Sequence, residues 1–255
     1  MKIGIIGLGF VGTAIKNAYD FPVLVSDPAK NLFTPYAKLC KCDAVFICVP
    51  SPSKPDGSCN TSILENVLNL LGASKGVLIS KVTAPPEVYS KLQKKHPNLV
   101  HVPEFLVAAN ANEDYLNETF SLVGGHEPYR QLAIDAIRLG QKKLKNVDLC
   151  SIEEASLVKY TINSFLALKV SYMNQLYEYA QAQGINYNRV RELFDRDSRI
   201  GSSHTMVPGP DGQHGYGGAC FPKDVKALLA SAKKLKIDFD ILERANKYNE
   251  TLRNT

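Results

Sequence analysis

The chain has 255 residues, enough for one large or two small domains that can build a core without disulfides. Hydrophobic residues make up 45% and charged residues 22% of the sequence, a composition that excludes disordered and fibrous proteins. The net charge is only +5 and the basic residues form no long run, so we expect no nucleic-acid partner.

Membrane and metal sites are not predicted either. The sequence contains no stretch of about 18 uninterrupted apolar residues that could cross a bilayer. Its six cysteines have no framework spacing, and Cys40-x-Cys42 lacks the second ligand pair of a zinc site. We therefore expect a cytoplasmic protein with reduced thiols, without a membrane partner or a bound metal.

Short apolar runs alternate with amphipathic stretches from Lys2 to about Lys145, a pattern typical of strands and helices on a parallel sheet. The predicted strands are Lys2–Ile6, Val23–Val25, Ala44–Val49, Gly76–Lys81, Leu99–Val102 and Ser121–Val123. The predicted helices of this region are Phe10–Tyr19, Ile63–Leu71 and Glu127–Leu139.

The pattern changes at Ile152, where a second domain is expected to begin. Apolar residues recur at helical spacing through Ala182 without any Pro or Gly, which predicts one long helix. Further helices are predicted at 188–195, 222–235 and 240–254, with a Gly- and Pro-rich loop at 201–218. Because a helix this long usually packs against several partners, we expect a homodimer formed through residues 152–182.

A glycine motif follows the first predicted strand directly. Gly7-x-Gly9-x-x-Gly12 separates the strand from a helix, and we call residues 7–12 the dinucleotide loop. The first glycine allows a tight turn, the second lets a pyrophosphate approach the backbone, and the third lets the helix pack closely. Asp27 ends the next strand, where its carboxylate would bind ribose hydroxyls and repel a 2′-phosphate. The sequence therefore predicts NAD rather than NADP as cofactor.

A second glycine-rich segment, GYGGACFPKD (Gly215–Asp224), presents a cysteine, and we call residues 215–220 the cysteine loop. Gly215, Gly217 and Gly218 allow backbone angles that are closed to other residues, so the chain can fold tightly around a substrate. Pro222 suits the first turn of a helix. Cys220 would lie just before that helix N-terminus, a position that favours the reactive thiolate. The sequence predicts that Cys220 is functional and that the other five cysteines are structural.

Several motifs, in order, resemble the UDP-glucose/GDP-mannose dehydrogenase family. They are GLGFVG, FICVPSPSKPDG (Phe46–Gly57), the SKVT segment ending at Thr83, PEFL (Pro103–Leu106), EASLVKYTINSFLALKVSYMNQ (Glu154–Gln175) and GYGGACFPKD. The expected fold is α/β, with an N-terminal Rossmann domain on a parallel sheet over residues 1–150. An all-helical domain built on the long central helix follows over residues 151–255. The resemblance implies oxidation of the primary alcohol of a nucleotide sugar, such as UDP-glucose, to a carboxylate by two NAD.

The resemblance also implies the roles of six catalytic residues. Cys220 would attack the aldehyde formed by the first oxidation, so that the second oxidation gives a thioester. Lys159 and Asn163, four residues apart on one helix face, would stabilise a developing alkoxide. The remaining catalytic candidates are Asp224, which would hold a water or orient Lys159, Thr83, which would position water, and Glu104, the general base for thioester hydrolysis.

The binding residues are assigned in the same way. The cofactor-binding candidates are Gly7, Gly9, Phe10, Val11, Gly12, Asp27, Val49, Pro50 and Thr83. The substrate-binding candidates are Glu104, Phe105, Leu106, Lys159, Asn163, Tyr216 and Gly217.

The sequence also departs from the family pattern. The segment after PEFL reads VAANANEDYL where the family has a charged, glycine-containing stretch, and no proline-valine-glycine turn follows Thr83. We expect the chain to lack the second Rossmann-like domain that holds the nucleotide in typical members. The nucleotide would then be held by the 202–215 loop, by Arg196, Arg199 or Arg244, by another protomer, or by a separate chain.

Two other functions are also compatible with the sequence. One is a single-step NAD-dependent dehydrogenase of the 3-hydroxyacid type, with Lys159 and Asn163 as its catalytic pair. The other is a non-catalytic cofactor-binding remnant or subunit. The cysteine loop favours the two-step enzyme, because a single oxidation needs no thiol.

Overall fold

The computed structural model describes residues 1–253, which form two compact units. The first unit comprises Met1–Pro52 and Cys59–Lys159, and the second comprises Ser53–Ser58 and the chain from Tyr160 onward. The domain boundary between residues 150 and 151 stays a prediction.

A seven-stranded sheet forms the centre of the first unit, in the order β2-β1-β3-β4-β5-β6-β7. The strands are β1 (Ile3–Ile6), β2 (Leu24–Ser26), β3 (Ala44–Ile47), β4 (Val77–Ser80), β5 (Leu99–His101), β6 (Phe120–Gly124) and β7 (Asn146–Cys150). All neighbours pair in parallel except β5 and β6, which meet antiparallel at His101 and Gly124. The predicted parallel sheet is confirmed, with this one antiparallel pair added.

The strand β7 was missed by the sequence prediction. It lies at the sheet edge, and Asn146, Asp148 and Leu149 along it are exposed. An edge strand with little buried surface lacks the apolar run or clean alternation that predicts a strand. The six predicted strands are confirmed, with ends that shift by one or two residues.

Six helices of the first unit surround this sheet within the described residues. They are α1 (Phe10–Ala18), α2 (Tyr36–Leu39), α3 (Ser62–Leu70), α4 (Pro86–Lys95), α5 (Ala111–Asn117) and α6 (Tyr129–Gly140). The predicted helices correspond to α1, α3 and α6, whereas α2, α4 and α5 were missed. The sequence of α4 is mostly polar, and it buries Tyr89, Leu92 and Gln93. Such a short apolar stripe gives a weak periodic signal.

The sheet order places a topological switch point at β1. This strand lies between β2 and β3, so the chain leaves β1 toward one side of the sheet and later returns to the other. Ile3 and Ile5 of β1 are fully buried with Phe46 and Ile79 in the main core. Ligands of open parallel sheets bind outside the carboxyl ends of the strands at such a point, which is where the dinucleotide loop begins.

The long predicted helix is confirmed at both ends as α7 (Ile152–Ala182), whose residues 152–159 belong to the first unit and the remainder to the second. The other helices of the second unit are α8 (Tyr187–Phe194), α9 (Phe221–Lys234) and α10 (Asp240–Arg253). Each agrees with its prediction to within a residue, and the predicted last residue, Asn254, lies outside the described residues. None of the described helices combines the length and apolar character that a bilayer crossing requires.

Candidate active site

The dinucleotide loop joins β1 to α1 by a turn that only glycine accommodates. Gly7 has φ +88°, and a Cβ there would lie 2.7 Å from the Cys48 carbonyl oxygen. A Cβ on Gly12 would lie 1.9 Å from the Gly7 carbonyl oxygen. Both contacts are to backbone, which cannot move aside, so Gly7 makes the turn and Gly12 lets α1 approach β1.

The middle glycine of this loop has a different environment. Gly9 is the N-cap residue of α1, is exposed, and would place a Cβ more than 4 Å from every described atom outside its immediate neighbours. Its backbone therefore faces open space at a helix N-terminus, where free N–H groups bind an anion.

Asp27 follows β2 and contacts the dinucleotide loop directly. Its Oδ2 accepts a hydrogen bond from the Leu8 N–H at 2.6 Å, and its Oδ1 accepts one from the Ala29 N–H at 3.0 Å. Lys30, which the sequence prediction missed, donates from Nζ to the Leu8 carbonyl oxygen at 2.6 Å. A lysine three residues after the acid, across a short 3-10 turn, was the signal that could have identified it.

A cavity of about 550 Å³ opens beside this loop, and its size fits the nucleoside part of a dinucleotide. Its lining residues are Leu8, Gly9, Phe10, Thr13, Asp27, Ala29, Lys30, Ala108, Ala109, Ala111 and Asn112. Residues 108–112 belong to the segment where the sequence departs from the family pattern. That departure therefore contributes one wall of the candidate cofactor site.

The other cofactor candidates occupy different settings in the first unit. Val11 packs against the main core, whereas Val49 is half-buried and Pro50 is exposed just after β3. Thr83 lies three residues beyond the end of β4, and its carbonyl oxygen accepts a hydrogen bond from Ser51 Oγ at 2.8 Å. Their contacts with a cofactor stay predictions.

Glu104 and Lys159 form a buried ion pair in the first unit. Lys159 Nζ lies 3.3 Å from Glu104 Oε1 and donates to the Glu104 carbonyl oxygen at 2.6 Å. The second carboxylate oxygen accepts the Leu106 N–H at 2.8 Å. Glu104 is 6% and Lys159 is 4% exposed, so each charge depends on the other for compensation.

The two residues after Glu104 contact this pair in different ways. The Phe105 ring centroid lies 5.4 Å from Lys159 Nζ, a cation–π contact. The Leu106 side chain packs against the main core. The PEFL segment thus combines a charged group, an aromatic face and an apolar anchor.

Asn163 and Asp224 come together in the second unit, although 61 positions separate them in sequence. Asn163 Nδ2 donates to Asp224 Oδ2 at 2.6 Å, and the other carboxylate oxygen pairs with Lys223 Nζ. Asp224 is 1% exposed. The structure therefore gives Asp224 two side-chain partners, and Lys223 is a member of this cluster that the sequence prediction missed despite its place in FPKD.

The cysteine loop ends at Cys220, the N-cap residue of α9, where the side chain is half-buried. Gly215 has φ +74°, whereas Gly217 has no positive φ; a Cβ on Gly217 would instead lie 2.7 Å from the Arg253 guanidinium. The expectation that Gly217 supplies unusual backbone angles is therefore wrong, and the feature of this glycine is its close approach to the end of a flexible side chain.

Tyr216 is 2% exposed and is fixed by α10. Its N–H donates to Asn249 Oδ1 at 2.6 Å and its hydroxyl donates to Asn246 Oδ1 at 3.1 Å. Burial raises the pKa of this phenol, so it stays protonated. A contact between this buried ring and the substrate stays a prediction.

The other thiols differ from a reactive cysteine in their chemistry. Burial raises the pKa of Cys48 to about 12 and that of Cys150 to about 11, and it also raises the pKa of Cys42. Thiols with raised pKa values hold little thiolate at neutral pH and are poor nucleophiles. The six cysteines all lie within the described residues and form no disulfide there.

The three arginines considered for nucleotide binding are exposed. Arg199 is held by Asp197 of the same loop, with its Nε 3.0 Å from Asp197 Oδ1. Arg196 and Arg244 are exposed side chains of the second unit. Their role toward a diphosphate stays a prediction.

Comparison with known proteins places both parts of the chain in one family. Residues 23–138 match the NAD binding domain of the UDP-glucose/GDP-mannose dehydrogenase family, and residues 153–251 match its central domain. A putative UDP-glucose 6-dehydrogenase of Bacillus subtilis is 30% identical over 83% of this chain and 51% of its own length. A UDP-glucose 6-dehydrogenase of Pseudomonas aeruginosa is 30% identical over 83% of this chain and 49% of its own length. The chain thus spans about half the length of these curated relatives.

Solved structures of other dehydrogenases share the fold. A UDP-glucose dehydrogenase of Pyrobaculum islandicum has a TM-score of 0.84 at 23% identity, covering 98% of this chain and 68% of that one. A 3-hydroxyisobutyrate dehydrogenase of Mycobacterium tuberculosis has a TM-score of 0.78 at 14% identity, covering 98% and 93% of the two chains. At these identities the likeness concerns the fold alone.

Proposed function

The chain belongs to the UDP-glucose/GDP-mannose dehydrogenase family, and from that premise we propose that it oxidises the primary alcohol of a nucleotide sugar, UDP-glucose first among the candidates, to the carboxylate. The observation that carries this proposal is the position of Cys220. It is half-buried at the N-terminus of α9, after a glycine-rich loop, in a chain that has the NAD-binding domain of the family.

The residues of the dinucleotide loop fit NAD. Gly7 and Gly12 form the turn, Gly9 leaves the N-terminus of α1 open to a pyrophosphate, and Asp27 lies beside the cavity where an adenosine ribose would bind. When bound, NAD accepts a hydride from the substrate carbon, and oxidation of an alcohol to an acid takes two such transfers.

Cys220 acts as the nucleophile in the proposed mechanism. Its thiolate adds to the aldehyde carbon and forms a thiohemiacetal, which is oxidised to a thioester. A thiolate at a helix N-terminus is stabilised by the helix dipole and by free N–H groups. Cysteine suits this step because its thioester can still be hydrolysed.

Lys159 and Asn163 stabilise the oxygen that gains negative charge. They lie one turn apart on α7 and both are buried, so they present an ammonium and an amide donor from the same helix face. Fixed donors in a site shielded from water stabilise a developing oxyanion more strongly than exposed donors do. Asp224 holds the amide of Asn163 in place.

Glu104 removes the proton of the water that hydrolyses the thioester, and Thr83 positions this water. The carboxylate of Glu104 is fixed from both sides, by Lys159 Nζ and by the Leu106 N–H. A fixed carboxylate loses little orientational freedom in the reaction, which favours its role as a base.

We further propose that a second copy of the chain packs along α7. An exposed apolar stripe runs along this helix at positions 158, 162, 165, 172 and 179, spaced by four, three, seven and seven residues. Phe165, Tyr172 and Tyr179 in this stripe are each more than 60% exposed. Large aromatic side chains aligned on one helix face are typical of a protein interface.

The proposed activity is tested by the reduction of NAD with a panel of nucleotide sugars. The panel contains UDP-glucose, UDP-galactose, GDP-mannose and UDP-N-acetylated sugars, and the readout is absorbance of the reduced cofactor. We expect turnover with at least one of these sugars, and formation of its uronate. NAD binding without turnover of any sugar would favour a non-catalytic subunit and contradict the proposal.

A further inference from the structure

Three consecutive carbonyl oxygens that surround Thr83 each accept a hydrogen bond from a side-chain hydroxyl. Tyr89 donates to the Val82 oxygen at 2.5 Å and Ser51 donates to the Thr83 oxygen at 2.8 Å. Ser156 donates to the Ala84 oxygen at 2.6 Å. The donors come from α4, from the loop after β3 and from α7, so three separate parts of the first unit hold this one segment.

These hydrogen bonds replace the sheet pairing that the carbonyl groups lose where the strand β4 ends. After β4 ends at Ser80, the segment from Val82 to Ala84 has left the sheet, and Pro85 and Pro86 follow it. Buried main-chain carbonyls need hydrogen-bond partners, and the hydroxyls provide them here. Ser156 is 1% exposed and Tyr89 is fully buried, so these bonds lie in a low-dielectric environment.

The hydroxyl of Tyr89 is itself fixed. Because its single proton goes to the Val82 oxygen, the contact of 2.7 Å with Ser80 Oγ makes Ser80 the donor. The His101 ring stacks on Tyr89 with centroids 4.2 Å apart, and its Nδ1 lies 3.0 Å from the Ser80 carbonyl oxygen. Neighbouring strands β4 and β5 are thus joined at their carboxyl ends by side chains.

Ser156 and Lys159, three residues apart on α7, both donate hydrogen bonds to main-chain carbonyl oxygens of other segments. While Ser156 binds the Ala84 oxygen, Lys159 Nζ binds the Glu104 oxygen at 2.6 Å. Positions three apart lie on the same face of a helix. One helix face therefore holds the segment of Thr83 and the segment of Glu104, and it fixes the separation between them.

We propose that Ser156 is a positioning residue that, through the Ala84 carbonyl, sets Thr83 relative to Glu104 for the hydrolysis of the thioester. This inference rests on the proposed function, in which Thr83 and Glu104 act on the attacking water. Without the Ser156 hydroxyl, the segment after β4 loses its side-chain bond from α7, while the bonds from Tyr89, Ser51 and the Cys59 thiol remain.

The test compares two buried serines of α7. Ser156→Ala removes the bond to Ala84, whereas Ser171→Ala is the matched control, because the Ser171 hydroxyl bonds the Ala167 oxygen of its own helix at 3.1 Å. We expect Ser156→Ala to lower kcat about tenfold with KM for the sugar within about twofold, since misplacement near a reacting group costs rate rather than binding. Ser156→Thr, which keeps the hydroxyl, should restore most of the rate.

Hydrogen–deuterium exchange supplies a readout that does not depend on activity. We expect faster exchange in the peptide spanning residues 80–90 for Ser156→Ala and unchanged exchange there for Ser171→Ala. Unchanged exchange, or an equal loss of kcat in both variants, would overturn the inference. If the unaltered protein oxidises no sugar, the proposed function fails, and the exchange result alone decides whether Ser156 fixes this segment.

Discussion

The dinucleotide loop and the cysteine loop both place glycines before a helix. The two loops differ in the atoms that a Cβ added to these glycines would contact. In the dinucleotide loop, Cβ atoms added to Gly7 or Gly12 would meet backbone oxygens, at 2.7 Å and 1.9 Å. In the cysteine loop, a Cβ on Gly215 would meet Asn249 Oδ1 at 2.4 Å, and one on Gly217 would meet the Arg253 side chain at 2.7 Å.

The difference concerns how each loop is shaped. The first loop is shaped by backbone, namely the Gly7 carbonyl of the loop itself and the Cys48 carbonyl just after β3. Side chains of α10 shape the second, since Asn249 accepts from the Tyr216 N–H at 2.6 Å and Arg253 donates to the Gly215 oxygen at 2.7 Å. Side-chain ends can shift, whereas packed backbone cannot. We therefore expect an added methyl group to reduce stability strongly in the first loop and only slightly in the second. In the second loop, the larger effect should come from replacing the Cys220 thiol.

The largest expected effect is chemical and falls on the cysteine loop. Cys220→Ser should lower uronate production roughly 10³-fold or more, because a hydroxyl is not ionised near neutral pH and cannot replace the thiolate. NAD affinity should not change. Cys150→Ser is the control and should keep its activity, since Cys150 is a half-buried thiol with a raised pKa. Near-normal turnover of the Cys220 variant would refute its role.

Added volume should be most damaging in the dinucleotide loop. Gly12→Ala should reduce the free energy of unfolding by about 3 kcal/mol, because the new methyl group overlaps the Gly7 oxygen and the backbone must shift. Urea unfolding measures this loss. The control is Gly9→Ala, where φ is −63° and the methyl group meets no described atom within 4 Å. It should keep its stability while binding NAD more weakly. Equal stability of the two variants would contradict this account.

The acid beside the loop should decide cofactor choice with a smaller effect. Asp27→Ala should weaken NAD binding by roughly tenfold and reduce the discrimination against NADP, since the carboxylate that we propose binds the ribose is lost. Asp27→Asn keeps an acceptor for the Leu8 N–H and removes the charge, so it should relax discrimination with less loss of NAD affinity. Titration of each variant with NAD and with NADP measures the two affinities and their ratio. An unchanged preference in both variants would show that Asp27 is not on the ribose.

The smallest effect on stability is expected at Gly217, where the neighbouring Arg253 side chain can move. Gly217→Ala should reduce stability by less than about 1 kcal/mol, because the Arg253 guanidinium can rotate away from the new methyl group. NAD affinity should stay the same, as measured by the same titration. A loss of stability as large as that of Gly12→Ala would mean that the two loops do not differ in rigidity.

Local sequence predicts the parts of this molecule that local physics determines. The helix from Ile152 to Ala182 was predicted at both ends because its apolar period persists without a Pro or Gly. The dinucleotide loop was predicted because strand, glycines and acid lie within one short segment. The strand β7 and the helix α4 were missed because each buries too few side chains to leave a pattern.

Side-chain contacts between residues distant in sequence could not be predicted in the same way. The spacing of Lys159 and Asn163 predicts a shared helix face, yet it does not reveal that Glu104 and Asp224 are their partners. Periodicity records which side of an element is buried, whereas a partner 55 or 61 positions away is chosen by the fold. Lys30 and Lys223 were missed for a simpler reason, because a lysine within a few residues of an acid is usually a solvated residue.

The most direct test of the central claim is the number of NADH molecules formed for each uronate. A nucleophilic Cys220 retains the aldehyde as a covalent adduct, so we predict two NADH per acid and no free aldehyde during turnover. One NADH per sugar with release of the aldehyde would contradict the thioester scheme. That result would instead favour a single oxidation of the 3-hydroxyacid type.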